Sequence, residues 1–311
     1  MPVRHILTAA DFTQEEFLRV LHLSRDLKTN PQPEALKHKT LLMLFEKPSL
    51  RTRVSFEAGC TKLGGHAIYY DIKGSPLGEK ETYADFSRVI SGLVDFAMLR
   101  VNRREDIREV CKYATIPIIN ALDDYAHPMQ MLADFLTILE HKGTLENLKV
   151  SYVGDIRNNV TYDFMRAALV LGLEVAVAGP KGPEYDVEES VIPELDELVA
   201  KYGGKYLITN DPVEAVRNAD VVSTDSWMSY HIKAEHKAAR FETFGPYRVT
   251  SELMAHAKKD AIFLHCLPAQ RGVEVTAEVI DGPQSVIFPE AHNRMWTEMG
   301  CLVFLNEQLN L

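Results

Sequence analysis

The chain has 311 residues, 46% of them hydrophobic and 25% charged, enough for two globular domains and unlike a fibrous, disordered or disulfide-scaffold protein. Its 34 Lys plus Arg against 44 Asp plus Glu give a formal charge of -10, which argues against broad electrostatic capture of nucleic acid or an anionic membrane. Cys60, Cys111, Cys266 and Cys301 form no CxxC pair. The first residues hold no signal-peptide core, and no apolar run approaches the roughly 20 residues of a membrane span, so reduced thiols and a cytoplasmic location are expected.

In chain order, Thr13 with Glu16 three residues on is a capping box, and Phe17, Val20, Leu21 and Leu27 continue at helical spacing. The apolar run 41–45 predicts a buried strand, and 54–60 a helix after the break at Pro48. The alternation continues with strand 66–71, helix 83–91, strand 96–100, helix 104–113 and strand 116–120, then a long helix 129–140. A second series follows: strand 149–153, helix 161–171, strand 174–178, helix 192–202, strands 205–209, 221–224 and 261–265, and a last helix 291–309. Such alternation predicts an α/β protein of two domains, each a parallel sheet flanked by helices, with chemistry at the carboxyl ends of the strands. The expected division is 1–142, 143–289 and a C-terminal helix, 290–311, packing back on the first domain.

Within 46–57, Ser49, Arg51, Thr52 and Arg53 gather hydroxyls and guanidiniums where a strand hands over to a helix. Helix-start N–H groups, neutral donors and bidentate Arg forks suit a phosphate, although Ser49 or Thr52 capping the helix beside solvated arginines is an equally ordinary reading. Neither GxxxxGK[ST] nor GxGxxG accompanies the segment, and 153–157 lacks the glycine spacing a nicotinamide dinucleotide requires.

Six ordered motifs carry a resemblance. Ser49-Leu50-Arg51-Thr52-Arg53 resembles S-T-R-T-R, His127-Pro128-Met129-Gln130 resembles H-P-x-Q, and Asp155 through Asn158-Asn159 resembles the G-D-x-x-N-N turn. Asp225 through Ser229 resembles the D-x-W-x-S-M-G loop, His265-Cys266-Leu267-Pro268 is H-C-L-P, and Glu290 through Asn293-Arg294 resembles the E-N-R segment. Together these are similar to the aspartate/ornithine carbamoyltransferases over about residues 4–309, and H-C-L-P with the paired asparagines points to the ornithine branch.

The resemblance implies that the first domain binds carbamoyl phosphate and the second an amino acid, L-ornithine, and that carbamoyl transfer to the side-chain amine gives L-citrulline and phosphate in arginine metabolism. It further implies that Ser49, Leu50, Arg51 and Thr52 hold the phosphate while Arg100, His127 and Gln130 surround the carbamoyl group, joined by Arg294, Cys266 and Leu267. Asn159, Asp225, Ser229 and Tyr230 then grip ornithine, and Arg100, His127, Cys266 and Asp225 take part in catalysis. No cofactor and no metal are expected, since His127, His231, His265 and His292 form no HxxxH-like set. A homotrimer with active sites at subunit interfaces is implied, with neither nucleic acid nor membrane as partner.

The chain departs from the family at four places. Leu50 replaces a threonine, Tyr230-His231 stands for Met-Gly in the loop that closes over the amine, and His292 replaces a glutamate. Pro76 takes the place of a polar residue that reaches a neighbouring subunit, with Ser75 and Lys80 nearby. These leave as alternatives a carbamoyltransferase for acetyl-ornithine, succinyl-ornithine or putrescine, or a non-catalytic binding relative. The chemistry also sets a demand. A primary amine of pKa ~10.4 costs about 4.6 kcal/mol to present neutral at pH 7, so proton removal is part of the task.

Overall fold

The computed structural model describes residues 3–73, 77–78, 80–228, 235 and 237–309. Ser75, Pro76, Ser229, Tyr230 and His231 lie outside them. The chain divides into two compact units, the first made of 1–136 and 292–311 and the second of 137–291. These junctions fall inside helices α5 (Pro128–Lys142) and α12 (Ile287–Leu309) rather than at 142 and 289.

Unit one holds four parallel strands: β1 (Thr40–Phe45), β2 (His66–Asp71), β3 (Phe96–Arg100) and β4 (Ile118–Leu122), ordered β2-β1-β3-β4. Central β1 is apolar almost throughout because both faces are covered, whereas edge strand β2 is largely exposed. Helices α1 (Gln14–Thr29), α2 (Leu50–Lys62), α3 (Tyr83–Ser91) and α4 (Arg104–Cys111) belong to this unit. Thr13 and Glu16 close the expected capping box on α1. The order places a topological switch between β1 and β3, whose carboxyl ends carry Ser49 and Arg100. A bulge in the β3–β4 register falls at Leu99/Arg100, where Arg100 pairs with Leu122 and skips Ala121. Bulges re-aim side chains, and this one sits at a residue singled out from sequence.

Unit two holds β5 (Lys149–Val153), β6 (Glu174–Ala178), β7 (Lys205–Thr209), β8 (Val221–Ser223) and β9 (Ile262–Leu264), all parallel and ordered β7-β6-β5-β8-β9. Its helices include α6 (Asn159–Val170), α7 (Ile192–Tyr202), α8 (Pro212–Val216), α9 (Lys237–Phe244), α10 (Ser251–Met254) and α11 (Ala277–Ile280). Here the switch lies between β5 and β8, beneath the turns bearing Asp155 and Asp225. Val153, Ala176, Val222, Phe263 and Ile287 are among the residues of its core. No helix among the described residues is long and apolar enough to cross a membrane.

Several expected boundaries move for identifiable reasons. The strand expected over 116–120 begins at Ile118 because Pro117 has no N–H for the ladder. Helix α2 starts at Leu50, capped by Ser49, so the polar residues 51–53 that interrupt the apolar period are helical. Helix α12 starts at Ile287, since Pro289 in its first turn forfeits only an N–H with no intrahelical partner. Four helices of eight residues or fewer, α8 to α11, went unpredicted because so few turns show no period.

Candidate active site

In unit one, Ser49 caps α2: its hydroxyl accepts from the Thr52 N–H at 3.4 Å and donates to Thr52 Oγ1 at 3.1 Å. The buried Thr52 hydroxyl also meets Arg100 Nη1 at 3.4 Å and Arg294 Nη2 at 3.5 Å. Arg294 Nη1 donates to Gln130 Oε1 at 2.8 Å, and Gln130 Nε2 donates to Asp134 Oδ1 at 2.7 Å, so both ends of that amide are assigned. Leu50 is 78% exposed, so its side chain binds nothing here and only its backbone is available to a ligand. These contacts, with Arg51 in the first turn of α2, make a basic cluster at a helix start.

His127 belongs to the same cluster. Burial first, then the Arg294, Arg100 and Arg51 charges, hold its imidazole well below the usual histidine range. A neutral ring beside three guanidiniums donates one hydrogen bond without adding charge. We expect the His127 ring to remain neutral from pH 9 down to pH 6, read from 15N shifts of the labelled imidazole; a midpoint near 6.5 would contradict the site electrostatics. Lys47 is likewise lowered by burial and by Arg100.

In unit two the turns after β5, β8 and β9 come together. Asp225 Oδ1 accepts from the Ser226 N–H at 2.7 Å and the Cys266 thiol at 3.2 Å. Desolvation raises its carboxyl, opposed by His265 and by these two donors. The Leu267 N–H donates to His265 Nδ1 at 2.9 Å, so the ring proton is on Nε2, which faces Glu274 Oε1 at 3.3 Å. Glu290 Oε2 accepts from the His265 N–H at 2.8 Å. Leu267 itself adopts φ 58° before Pro268. Asn158 caps α6 by accepting from the Thr161 N–H at 2.9 Å, which leaves Asn159 as the first helical residue with a partly exposed side chain.

Asp225, His265 and Cys266 present possible metal-ligand atoms within 4.8 Å of one another, a grouping invisible in histidine spacing. Both His265 nitrogens are already engaged, so the cluster is a hydrogen-bonded support for the Asp225 carboxyl.

Arg240 on α9 is the support the sequence gave no sign of. Its Nη2 pairs with Asp155 Oδ2 and its Nε donates to the Trp227 carbonyl at 2.8 Å, clamping the turns after β5 and β8. Burial pushes Asp155 up to about 6 despite this pairing. Gly154 adopts φ 134°, and a Cβ there would lie 3.1 Å from both Thr224 Oγ1 and Trp227 Nε1. Gly154→Ala is therefore expected to cost about 2 kcal/mol or more, read as a lower midpoint of chemical unfolding. An unchanged midpoint would show that the turn relaxes.

Residues 4–140 match the aspartate/ornithine carbamoyltransferase carbamoyl-P binding domain, and 146–305 match the Asp/Orn binding domain. The chain belongs to the aspartate/ornithine carbamoyltransferase family. It is 48% identical over 306 residues to the ornithine carbamoyltransferase of Carboxydothermus hydrogenoformans, covering 97% of each chain. It is 44% identical to the anabolic ornithine carbamoyltransferase of Pyrococcus furiosus, covering 97% of this chain and 96% of the relative. Among solved structures, ornithine transcarbamoylase from Giardia lamblia superposes with a TM-score of 0.90 at 40% identity, covering 98% and 99%. The anabolic ornithine carbamoyltransferase from Campylobacter jejuni gives 0.92 at 38%, covering 98% and 100%. Like those carbamoyltransferases, the chain has two parallel sheets flanked by helices; among the described motif residues, those at 49–53, 127–130, 155–159, 225–228 and 265–268 follow the carboxyl ends of strands, while Glu290, Asn293 and Arg294 lie on α12.

Proposed function

We propose that this chain is an ornithine carbamoyltransferase, moving the carbamoyl group of carbamoyl phosphate to the side-chain amine of L-ornithine to give L-citrulline and phosphate. The observation that carries this is the basic cluster at the start of α2, where Thr52, Arg100, Arg294, Gln130 and His127 converge within a chain of this family. Ser49, Thr52 and Arg51, with the Leu50 backbone, hold the phosphate. Arg100 and neutral His127 donate to the carbonyl oxygen, where negative charge builds during attack.

Asp225 receives the α-ammonium of ornithine, Asn159 with Ser229 and Tyr230 its remaining polar groups, and Cys266 with Leu267 orients the reacting amine. That amine sheds one proton before attack. Its nitrogen then bonds to the carbonyl carbon, the C–O bond to phosphate breaks as the tetrahedral intermediate collapses, and the departing phosphate accepts the second nitrogen proton. Such acyl transfer draws its rate from orientation and fixed donors, so the reading requires neither cofactor nor metal.

The first unit is thereby the carbamoyl-phosphate domain and the second the ornithine domain, in a cytoplasmic enzyme working as a homotrimer with active sites at subunit interfaces. Exposed Leu50, Val54, Ile68, Tyr70, Val89 and Leu93 in unit one give that assembly an apolar surface to cover. Sedimentation is expected to give about three times the 35.1 kDa chain mass. A monomer would refute the assembly.

A citrulline assay at saturating carbamoyl phosphate tests the function. L-Ornithine is expected to be turned over far faster than acetyl-ornithine, succinyl-ornithine or putrescine. Preference for one of these would reassign the amine, and no product from any would remove the enzymatic reading.

A further inference from the structure

At the buried side of the unit-one basic cluster, where the proposed function places a hollow for phosphate, lies a carboxyl that the proposed mechanism does not use. Glu298 lies one helical turn beyond Arg294 on α12 and is fully buried. Its Oε1 accepts from Arg294 Nε at 3.3 Å and Nη2 at 2.9 Å, a fork that fixes the guanidinium in plane. The same guanidinium reaches Gln130 Oε1 and Thr52 Oγ1, so Glu298 sits directly behind the group that faces the hollow.

The second oxygen, Glu298 Oε2, is buried without a hydrogen-bond partner in the structure. Ser55 of α2 faces this carboxyl, but its hydroxyl proton goes to the Arg51 carbonyl at 2.7 Å, leaving the Ser55 oxygen as an acceptor. An unpaired carboxylate oxygen in a dry site is costly, whereas a carboxylic O–H would meet that acceptor.

Resting on the carbamoyl-phosphate reading of this hollow, we propose that Glu298 is a positioning residue that holds Arg294 in the cradle and, through its own charge, sets the affinity of the cradle for a dianion. With Glu298 neutral, Arg294 offers its full charge to a phosphate. With Glu298 ionised, part of that charge is already answered and a dianion binds less well. By linkage, dianion binding draws a proton onto Glu298.

Burial lifts this carboxyl to about 7, against the opposing pull of Arg294, so the change of charge falls in the working range. The sign follows: affinity is high below pH 7 and declines above it, by at most about tenfold per pH unit for one proton. Among the described residues, Arg294 and Cys301 on its own helix act on or feel Glu298, and Arg51, Arg100, Lys47, His127 and, through Gln130, Asp134 belong to the adjoining cluster. Cys301 is pushed far up by burial and stays a thiol. His127 stays neutral across this range.

The test uses sulfate, dianionic at every pH used, so that binding is read without turnover. Its dissociation constant is measured by thermal shift at pH 6, 7 and 8.5 for the unmodified protein, Glu298→Gln and Glu298→Ala. The unmodified protein is expected to bind about tenfold more weakly at pH 8.5 than at pH 6. Glu298→Gln, which keeps an acceptor for Arg294 but no charge, should bind with little pH dependence and more tightly at pH 8.5 than the unmodified protein. Glu298→Ala should bind weakly throughout.

A Gln variant that follows the unmodified pH profile would overturn the proposal, as would a hollow that takes no sulfate at all. In parallel, the KM for carbamoyl phosphate at saturating ornithine should show the same pattern, and at any one pH Glu298→Gln should change kcat little. If sulfate behaves as expected but no citrulline forms, the reading of the substrate fails while the role of Glu298 stands.

Discussion

Replacing Arg51 by alanine is expected to lower kcat/KM for carbamoyl phosphate by about a thousandfold, some 4 kcal/mol of transition-state stabilisation. Arg51 stands in the first turn of α2, immediately after the capped Ser49, and its charge is one of three felt by His127. In the proposed cradle its removal takes away a charge-assisted contact to phosphate, and the helix-start N–H groups, which carry only about half a charge, replace little of it. The loss should appear in both KM for carbamoyl phosphate and kcat, because the leaving phosphate gains charge as the C–O bond breaks. The KM for ornithine should move only a few-fold. Stopped-time citrulline assays over both substrates give these numbers, and a variant within about threefold of the unmodified enzyme would be incompatible with the cradle.

Asp225→Asn is expected to cost about two to three orders of magnitude in kcat/KM for ornithine, with the carbamoyl-phosphate KM nearly unchanged. The carboxylate accepts from the Ser226 N–H and the Cys266 thiol through one oxygen, leaving the other to receive an ammonium. Asparagine keeps the size but loses the charge, and turning its NH2 toward Ser226 would set donor against donor. Because Ser226 and Cys266 bond to the same oxygen, Cys266→Ala should give a milder loss in the same parameter. If Asp225→Asn raised both Michaelis constants equally, Asp225 would be holding the turn rather than the substrate.

The legibility of the chain divides along physical lines. Alternating apolar runs with helical spacing between them exposed both parallel sheets, because strands covered on both faces are apolar throughout, as Leu41–Phe45 and Val175–Ala178 are. Motif residues were legible because a helix start with Ser49, Arg51 and Thr52 carries its chemistry within a few positions. Groups acting at a distance were not. Arg240 clamps Asp155 and Trp227 from a short helix, 85 positions beyond the carboxyl it pairs with, and nothing local in 237–244 announces it. Glu298 was available as a partner four residues after Arg294, but only its burial separates it from a solvated helix pair. The β-bulge at Arg100 depends on cross-strand register, which one strand cannot reveal.

The proposed chemistry needs a phosphate at the start of α2 and an amino-acid ammonium on Asp225. The most direct test is a crystal structure with a bisubstrate analogue joining a phosphonate to the side-chain nitrogen of ornithine. The phosphonate is predicted within hydrogen-bond distance of Ser49, Arg51 and Thr52, with the amide oxygen toward Arg100 and His127 and the ammonium on Asp225. A phosphonate seated elsewhere, or an ammonium without Asp225, would contradict the account.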